Sequence, residues 1–182
     1  IQQIRMNKFT TSIPTKARDI IQNALQNKRY ELLEPESKEL IAAFGITTTR
    51  HAVTSSITEA IQAASSLGYP VVLKIVSPDI SHKTDVGGVK VGIKDNEGIK
   101  AAYEEIMKNV TTKKPDARIH GILVEEMATP STEVIVGGLR DPQFGPAVMF
   151  GLGGIFVEIY KDVSFRIAPL EEYEALDMIH EI

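Results

Sequence analysis

Two strand-like runs lie close together near the middle of the chain, and their spacing constrains the fold more than any other feature. Pro70–Val76 is apolar except for Lys74, and Gly88–Ile93 places its apolar residues on one face. With the polar segment between them, the two runs resemble a hairpin. Because hairpin-like pairs and helices are mixed without strict βαβ alternation, the sequence favours an α+β fold over a doubly wound parallel sheet.

Apolar periodicity and end signals predict the other elements. Helices are expected over residues 16–28, 34–44, 97–110 and 171–182, with a further helix capped by Ser56 or Thr58 that ends at Leu67. Further strands are expected over residues 119–127, 133–139 and 147–150. Pro35 suits a first helical turn, and Asp95 suits an N-cap. No element is assigned to residues 46–53.

Composition excludes several classes of function. The chain has 182 residues, a net charge of -4 and no cysteine. The negative charge argues against a broad nucleic-acid surface, and the lack of cysteine excludes disulfides, thiolate metal sites and cysteine nucleophiles. No apolar run approaches the roughly 20 residues of a membrane helix, and a cytoplasmic enzyme fits these features. Since the chain starts without methionine and ends inside a predicted helix, we expect it to be a piece of a longer polypeptide.

The segment KIVSPDISHKTDVGGV, residues 74–89, contains the most informative chemistry. Lys74 interrupts an apolar strand, and a buried lysine is costly unless it faces an anion or a carboxylate. Gly87 and Gly88 could let backbone amides approach phosphate oxygens closely. The alternative is a plain hairpin with a polar loop and a lysine that extends to solvent.

His82 lies in the polar loop of this segment, between a serine and a lysine. An imidazole can act as a nucleophile and carry a covalent group. Lys83 could offset the charge of a phosphoryl group, and Asp85 could orient the ring. The alternative is a solvated or structural loop histidine, which spacing alone does not exclude.

Two later segments also carry polar residues at the ends of apolar runs. Glu125, Glu126 and Met127 close a predicted strand and could form a hinge whose backbone pairs with an adenine edge, followed by Glu133 as a ribose acceptor. After the glycine cluster 151–154, Glu158 and Arg166 could hold Mg²⁺ and neutralise phosphate. The alternatives are solvated strand ends and a glycine turn before a solvated strand.

Taken together, the strings SPDISHKTDVGGV, VEEM and FGLGGIFVEIYKDVSFRIAPL resemble the ATP-grasp domain of ADP-forming acyl-CoA synthetases, notably the beta subunit of archaeal acetyl-CoA synthetases. The resemblance implies an ATP-grasp fold with nucleotide between two lobes. It implies an N-terminal helical extension at 1–33, a first lobe at 34–124 and a second, incomplete lobe at 125–182. It also implies ATP/ADP and Mg²⁺ as cofactors and a CoA-binding alpha subunit as partner, in a heterotetramer.

The same resemblance implies a role for each candidate residue. His82 matches a histidine that accepts a phosphoryl group from a phosphohistidine of the alpha subunit and passes it to ADP. Glu158 matches a metal-proximal position. The positions that match nucleotide contacts are Lys74, Lys83, Gly87, Gly88, Val89, Glu125, Glu126, Met127, Glu133 and Arg166.

Two other functions stay open at the level of the sequence. One is a beta chain similar to succinyl-CoA synthetase, although the SHKTDVGGV string favours the acetate type. The other is a non-catalytic regulatory module of the kind found fused to acetyltransferases, which lacks the histidine. The presence of His82 argues against that module, and the acyl group cannot be read from these residues.

Overall fold

The computed structural model describes residues 13–129, 131–153 and 162–182. The described residues fall into two compact units, one ending at Ala128 and the other beginning at Thr129. The first unit includes the two N-terminal helices together with the first sheet. The lobe boundaries expected from the sequence stay a prediction.

The first unit is built on a four-stranded antiparallel sheet with the strand order β1-β4-β2-β3. Its strands are β1 (His51–Thr54), β2 (Val71–Val76), β3 (Val89–Ile93) and β4 (Gly121–Glu126). Its helices are α1 (Thr15–Gln26), α2 (Glu34–Ala43), α3 (Ile57–Leu67) and α4 (Asn96–Lys113). The long apolar runs thus form the two central strands, β4 and β2.

Strand alternation divides the residues of β2 between two environments. Leu73 and Ile75 belong to the main core, together with Ile106 of α4. Lys74 points to the other face, where it meets Glu34 of α2. Glu125 of β4 contacts Lys74 as well, so the sheet and α2 enclose an ionic layer opposite the apolar core.

Helix α2 begins where the sequence predicts. Glu36 reaches back to accept a hydrogen bond from the Leu33 backbone N–H at 2.8 Å, and Pro35 occupies the first turn. Glu34 and Lys38 are four residues apart, so they lie on one face of the helix. That face is the one in contact with the ionic layer.

The second unit contains a three-stranded antiparallel sheet and one helix among its described residues. The strands are β5 (Val134–Asp141), β6 (Gly145–Leu152) and β7 (Val163–Ile167), in the order β5-β6-β7, and the helix is α5 (Glu172–His180). Met178 of α5 is buried, and its carbonyl accepts a hydrogen bond from the Ser164 hydroxyl at 3.1 Å. This contact fixes α5 against β7.

The α+β prediction is confirmed, since both sheets are antiparallel and the helices pack beside them. Strand β1 was not predicted, because its four residues form a short edge strand without an alternating apolar pattern. Strand β6 extends beyond the predicted residues 147–150 at both ends, where glycine and proline weaken the strand signal. Among the described residues, no helix has the length and apolar character needed to cross a membrane.

The core of the first unit gives a stability prediction. Ile106 is fully buried in α4, so replacing it with alanine should lower the free energy of unfolding by about 2–5 kcal/mol. Urea denaturation followed by circular dichroism measures this change. Ile21→Ala is the control, because Ile21 is 45% exposed on α1. Equal losses for the two variants would contradict the assigned core.

Candidate functional site

Lys74 is the centre of the ionic layer on the α2 side of the first sheet. Its ammonium nitrogen lies 2.6 Å from Glu34 Oε1 and 2.8 Å from Glu125 Oε2. Burial by itself lowers the pKa of Lys74, but hydrogen bonds to Glu125 and Glu34 outweigh that effect and raise it. Lys74 is therefore charged, and the cost of burying it is offset by two carboxylates.

Glu125 is the most buried charged residue of this layer, with only 7% of its side chain exposed. Its Oε1 accepts hydrogen bonds from Lys38 Nζ at 2.5 Å and from the Thr49 hydroxyl. Burial acts to raise the pKa of Glu125, but the bonds from Lys38, Lys74 and Thr49 lower it to about 2. The Glu125 carboxylate is therefore anionic throughout the physiological pH range.

Glu34 joins the strand to the loop that carries His82. Its Oε1 contacts Lys74, and its Oε2 lies 3.2 Å from Lys83 Nζ. We call Glu34, Lys38, Lys74, Lys83 and Glu125 the lysine cluster. With three lysines and two glutamates, the cluster carries one surplus positive charge.

His82 is exposed at the tip of the β2–β3 connection, and both of its neighbours contact the segment before α2 or the start of that helix. The Ser81 hydroxyl lies 3.4 Å from Glu31 Oε2, and Lys83 pairs with Glu34. At the start of the loop, Arg118 binds Asp79 through two guanidinium nitrogens, at 2.7 and 3.0 Å. The loop that carries His82 is therefore anchored on both sides of the histidine.

The loop glycines are required by packing. Gly87 has a φ of +71°, and a Cβ on Gly88 would lie 2.6 Å from Ile75 Cγ2. The N–H of Gly87 donates to Thr84 O at 3.0 Å, and the N–H of Gly88 donates to Lys83 O at 2.8 Å. Both amides thus donate to carbonyl oxygens of the loop itself. The role of Gly87, Gly88 and Val89 in phosphate binding stays a prediction.

The predicted adenine hinge continues directly from the buried layer. Glu126 ends β4, where its side chain pairs with Arg50 at 2.7 Å and its N–H donates to Arg50 O. Met127 follows the strand and is 44% exposed. Of the three predicted hinge residues, only Glu125 belongs to the lysine cluster. Contact of the hinge with adenine stays a prediction.

The remaining predicted residues belong to the second unit. Glu133 is exposed before β5, and its carbonyl accepts a hydrogen bond from Gly153 N–H at 2.7 Å. Arg166 of β7 pairs with Glu181 after α5. The predicted metal residue Glu158 lies outside the described residues. Within the described ranges, no group of three or more His, Asp or Glu side chains is arranged to hold a metal ion.

Sequence reasoning missed three members of the site: Glu34, Lys38 and Thr49. The i, i+4 spacing of Glu34 and Lys38 at a helix start was visible, and so was the need of buried Lys74 for a carboxylate. The sequence does not show that Glu34 is the carboxylate that Lys74 needs, because the two residues are 40 positions apart. Only the packing of α2 on the sheet joins them.

A cavity of about 460 Å³ opens beside the lysine cluster. It is lined by residues 28–34, residues 76–81, Lys83 and Arg118. Its volume lies within the roughly 300–1,000 Å³ range of small-molecule sites. Glu34 and Lys83 therefore face an open, polar space.

Comparison with known proteins identifies the family. A family model described as an ATP-grasp domain matches residues 23–182. The chain is 53% identical over 167 residues to the beta subunit of ADP-forming acetate–CoA ligase I of Pyrococcus furiosus, covering 92% of this chain and 72% of that protein. The chain belongs to the ATP-grasp family of ADP-forming acetate–CoA ligase beta subunits. The predicted resemblance is thereby confirmed.

Solved structures of this ATP-grasp family agree with the fold. The dinucleotide-forming acetyl-CoA synthetase 1 of Ca. Korarchaeum cryptofilum, in complex with CoA, Ca-AMPCP and HgCl+, matches with a TM-score of 0.87 and 53% identity, over 91% of this chain and 72% of that one. The same enzyme in complex with CoA and Mg-AMPPCP matches with a TM-score of 0.75 and 48% identity, over 91% of this chain and 70% of that one. In that structure the phosphohistidine segment points towards the nucleotide binding site.

The depressed pKa of Glu125 gives a prediction with a defined pH dependence. Its folded value of about 2 lies below the ordinary 4.5, so its contribution to stability is present above about pH 4.5 and is lost as the pH falls towards 2. Glu125→Gln should cost about 3–5 kcal/mol at pH 7, because Lys38 and Lys74 lose their buried anion. The difference from wild type should shrink at pH 3, as measured by urea unfolding at several pH values.

The neighbouring residue supplies the control for this experiment. Glu126 pairs with Arg50, whose side chain is 63% exposed, so Glu126→Gln should have a much smaller effect. A Glu125→Gln loss as small as that of the control would contradict the assignment. So would a loss that is unchanged between pH 7 and pH 3.

Proposed function

We propose that this chain is the nucleotide-binding part of an ADP-forming acyl-CoA ligase, in which Lys74 and Lys83 bind nucleotide phosphates and His82 carries the phosphoryl group. The overall reaction is acyl-CoA + ADP + phosphate ⇌ carboxylate + CoA + ATP. The observation that carries the proposal is the lysine cluster, which has one surplus positive charge and lies next in sequence to an exposed histidine. A cationic site beside a free imidazole suits phosphoryl transfer.

The proposed transfer has two steps at His82. An imidazole nitrogen of His82 attacks the phosphorus of a phosphohistidine in the partner, so that one N–P bond forms and the partner's N–P bond breaks. A terminal phosphate oxygen of ADP then attacks the same phosphorus, forming the O–P bond of ATP and releasing the His82 nitrogen. The phosphoryl group moves without oxidation or reduction, and both histidines return to their starting state.

Lys74 and Lys83 have distinct parts in this proposal. Lys74 projects from a central strand and is held by the buried Glu125, so its ammonium group is fixed before nucleotide arrives. Lys83 follows His82 directly and can offset the charge of the phosphoryl group as it is transferred. Positioning of both charges before the reaction reduces the reorganisation that the transfer requires.

Magnesium would neutralise phosphate charge during transfer, as the Mg-AMPPCP complex of the related acetyl-CoA synthetase suggests. Glu158 is proposed as a ligand on the family resemblance alone. The residues described in this chain supply the phosphate contacts and the histidine, and they hold the loop in place.

The proposal includes a partner. The related Pyrococcus furiosus protein is a beta subunit, which supports a CoA-binding alpha subunit that forms the acyl phosphate and the first phosphohistidine. We propose a heterotetramer of two such pairs in the cytoplasm. The pocket for the acyl group would then lie in the partner, so the acetate preference is inferred from the relatives.

Nucleotide binding gives the first functional prediction. Lys74→Ala removes a charge-assisted contact worth about 1.5–3 kcal/mol, so the affinity for ADP should fall roughly ten- to a hundredfold. Calorimetry on the full polypeptide that contains this sequence measures the dissociation constant for ADP. Lys90→Ala is the control, because Lys90 lies on the adjacent strand but pairs with Glu105 of α4 on the other face. Unchanged affinity in a folded Lys74→Ala protein would remove Lys74 from the site.

Phosphoryl transfer gives the second functional prediction. His82→Ala should abolish ATP formation from acetyl-CoA, ADP and phosphate in the presence of the alpha subunit, while ADP binding stays nearly intact. Labelled phosphate should still reach the alpha-subunit histidine. His120→Ala, in the same unit, is the control for loss of a histidine. Substantial ATP synthesis by His82→Ala would show that His82 is not the carrier.

A further inference from the structure

Glu34 forms ion pairs with both of the lysines that the proposed function assigns to nucleotide phosphates. Its two carboxylate oxygens contact different ammonium groups, Lys74 at 2.6 Å and Lys83 at 3.2 Å. One anionic group between two cations is the arrangement that a bound phosphate would also form. If both lysines bind nucleotide phosphates, the carboxylate and a phosphate would compete for the same pair of charges.

We propose that Glu34 is a displaceable counter-ion, whose carboxylate fills the phosphate position between Lys74 and Lys83 and leaves it when nucleotide binds. The inference rests on the proposed function and adds a residue that sets the affinity of that site. Glu34 offsets part of the charge of the two lysines while the site is free of nucleotide. Its displacement then makes both ammonium groups available together.

The two carboxylates of the lysine cluster differ in how easily they can leave. Glu125 is 7% exposed and is bound by Lys38, Lys74 and Thr49, so it stays in place as a permanent partner of Lys74. Glu34 is 22% exposed and is held only by Lys74 and Lys83 among the described contacts. Rotation of the Glu34 side chain about its own torsions can therefore free both lysines without unfolding α2.

Charge favours the exchange. The Glu34 carboxylate carries one negative charge, whereas the phosphates of ADP carry more, and Coulomb attraction grows in proportion to charge. With Glu34 withdrawn, the other four members of the lysine cluster have a net charge of +2. That charge is better matched to a nucleotide phosphate than to a single carboxylate.

The route for exchange is also present. Glu34 and Lys83 both line the cavity of about 460 Å³, so the carboxylate can turn into solvent and an anion can reach Lys83. The two arginines in the lining are already paired, Arg29 with Glu36 and Arg118 with Asp79. Among the ion pairs that line the cavity, the contact between Glu34 and Lys83 is the longest, at 3.2 Å.

Glu34→Gln tests the inference through nucleotide affinity. Glutamine keeps the shape of the side chain but cannot neutralise the lysines, so the dissociation constant for ADP should fall about tenfold, within the usual range for coupled binding. The measurement is calorimetry on the full polypeptide with its alpha subunit, at two salt concentrations. Affinity in the variant should also depend more steeply on salt, because one more positive charge is unpaired before binding.

Glu39→Gln is the matched control, because Glu39 lies on the same helix but pairs with Lys16 at 3.2 Å, and neither residue lines the cavity. Its affinity for ADP should equal that of wild type. If Glu34→Gln fails to fold, Glu34→Asp replaces it. The shorter aspartate side chain cannot bridge both lysines, so this variant should also bind ADP more tightly than wild type.

The outcomes separate this inference from the proposed function. Unchanged or weaker binding in Glu34→Gln, beside normal binding in wild type, overturns the counter-ion role and leaves the nucleotide site standing. Failure of wild type to bind ADP at all overturns the proposed function itself. Tighter binding in Glu34→Gln but not in Glu39→Gln supports both.

Discussion

The burial of one carboxylate, that of Glu125, determines how α2 is held against the first sheet. A carboxylate in the centre of a sheet is costly unless cations and donors surround it. Lys74 comes from the adjacent strand, Lys38 from α2 and Thr49 from the segment before β1. Because each partner belongs to a different element, these contacts hold α2 against the sheet on the face opposite the apolar core.

The same interaction connects the fold with the proposed chemistry. Glu125 holds Lys74, the lysine cluster keeps a surplus of positive charge, and Glu34 bridges Lys74 and Lys83 beside His82. The proposed phosphate affinity and the position of the histidine loop thus depend on one network of ion pairs. An apolar layer would stabilise the sheet as well, but it would not provide a cationic site.

The sequence predicted the parts of this arrangement that depend on local pattern. The α+β fold, the start of α2 at Glu34 and the need of Lys74 for an anionic partner all follow from neighbouring residues. The identity of that partner does not, because Glu34 and Glu125 approach Lys74 only through tertiary packing. Gly87 and Gly88 differ in this respect. Their glycine pair is typical of phosphate loops, but packing already explains it, because a Cβ at these positions would clash with Asn109 and Ile75. Glu158 lies outside the described residues, so its metal role rests on family resemblance.

The central claim is that Lys74 and Lys83 exchange a carboxylate for nucleotide phosphates. A crystal structure of the full polypeptide with a non-hydrolysable ATP analogue tests it most directly. The account predicts both lysine nitrogens within about 3.2 Å of phosphate oxygens, with Glu34 turned away and Glu125 still bound to Lys38. Phosphates bound elsewhere, with Glu34 still bridging Lys74 and Lys83, would contradict it.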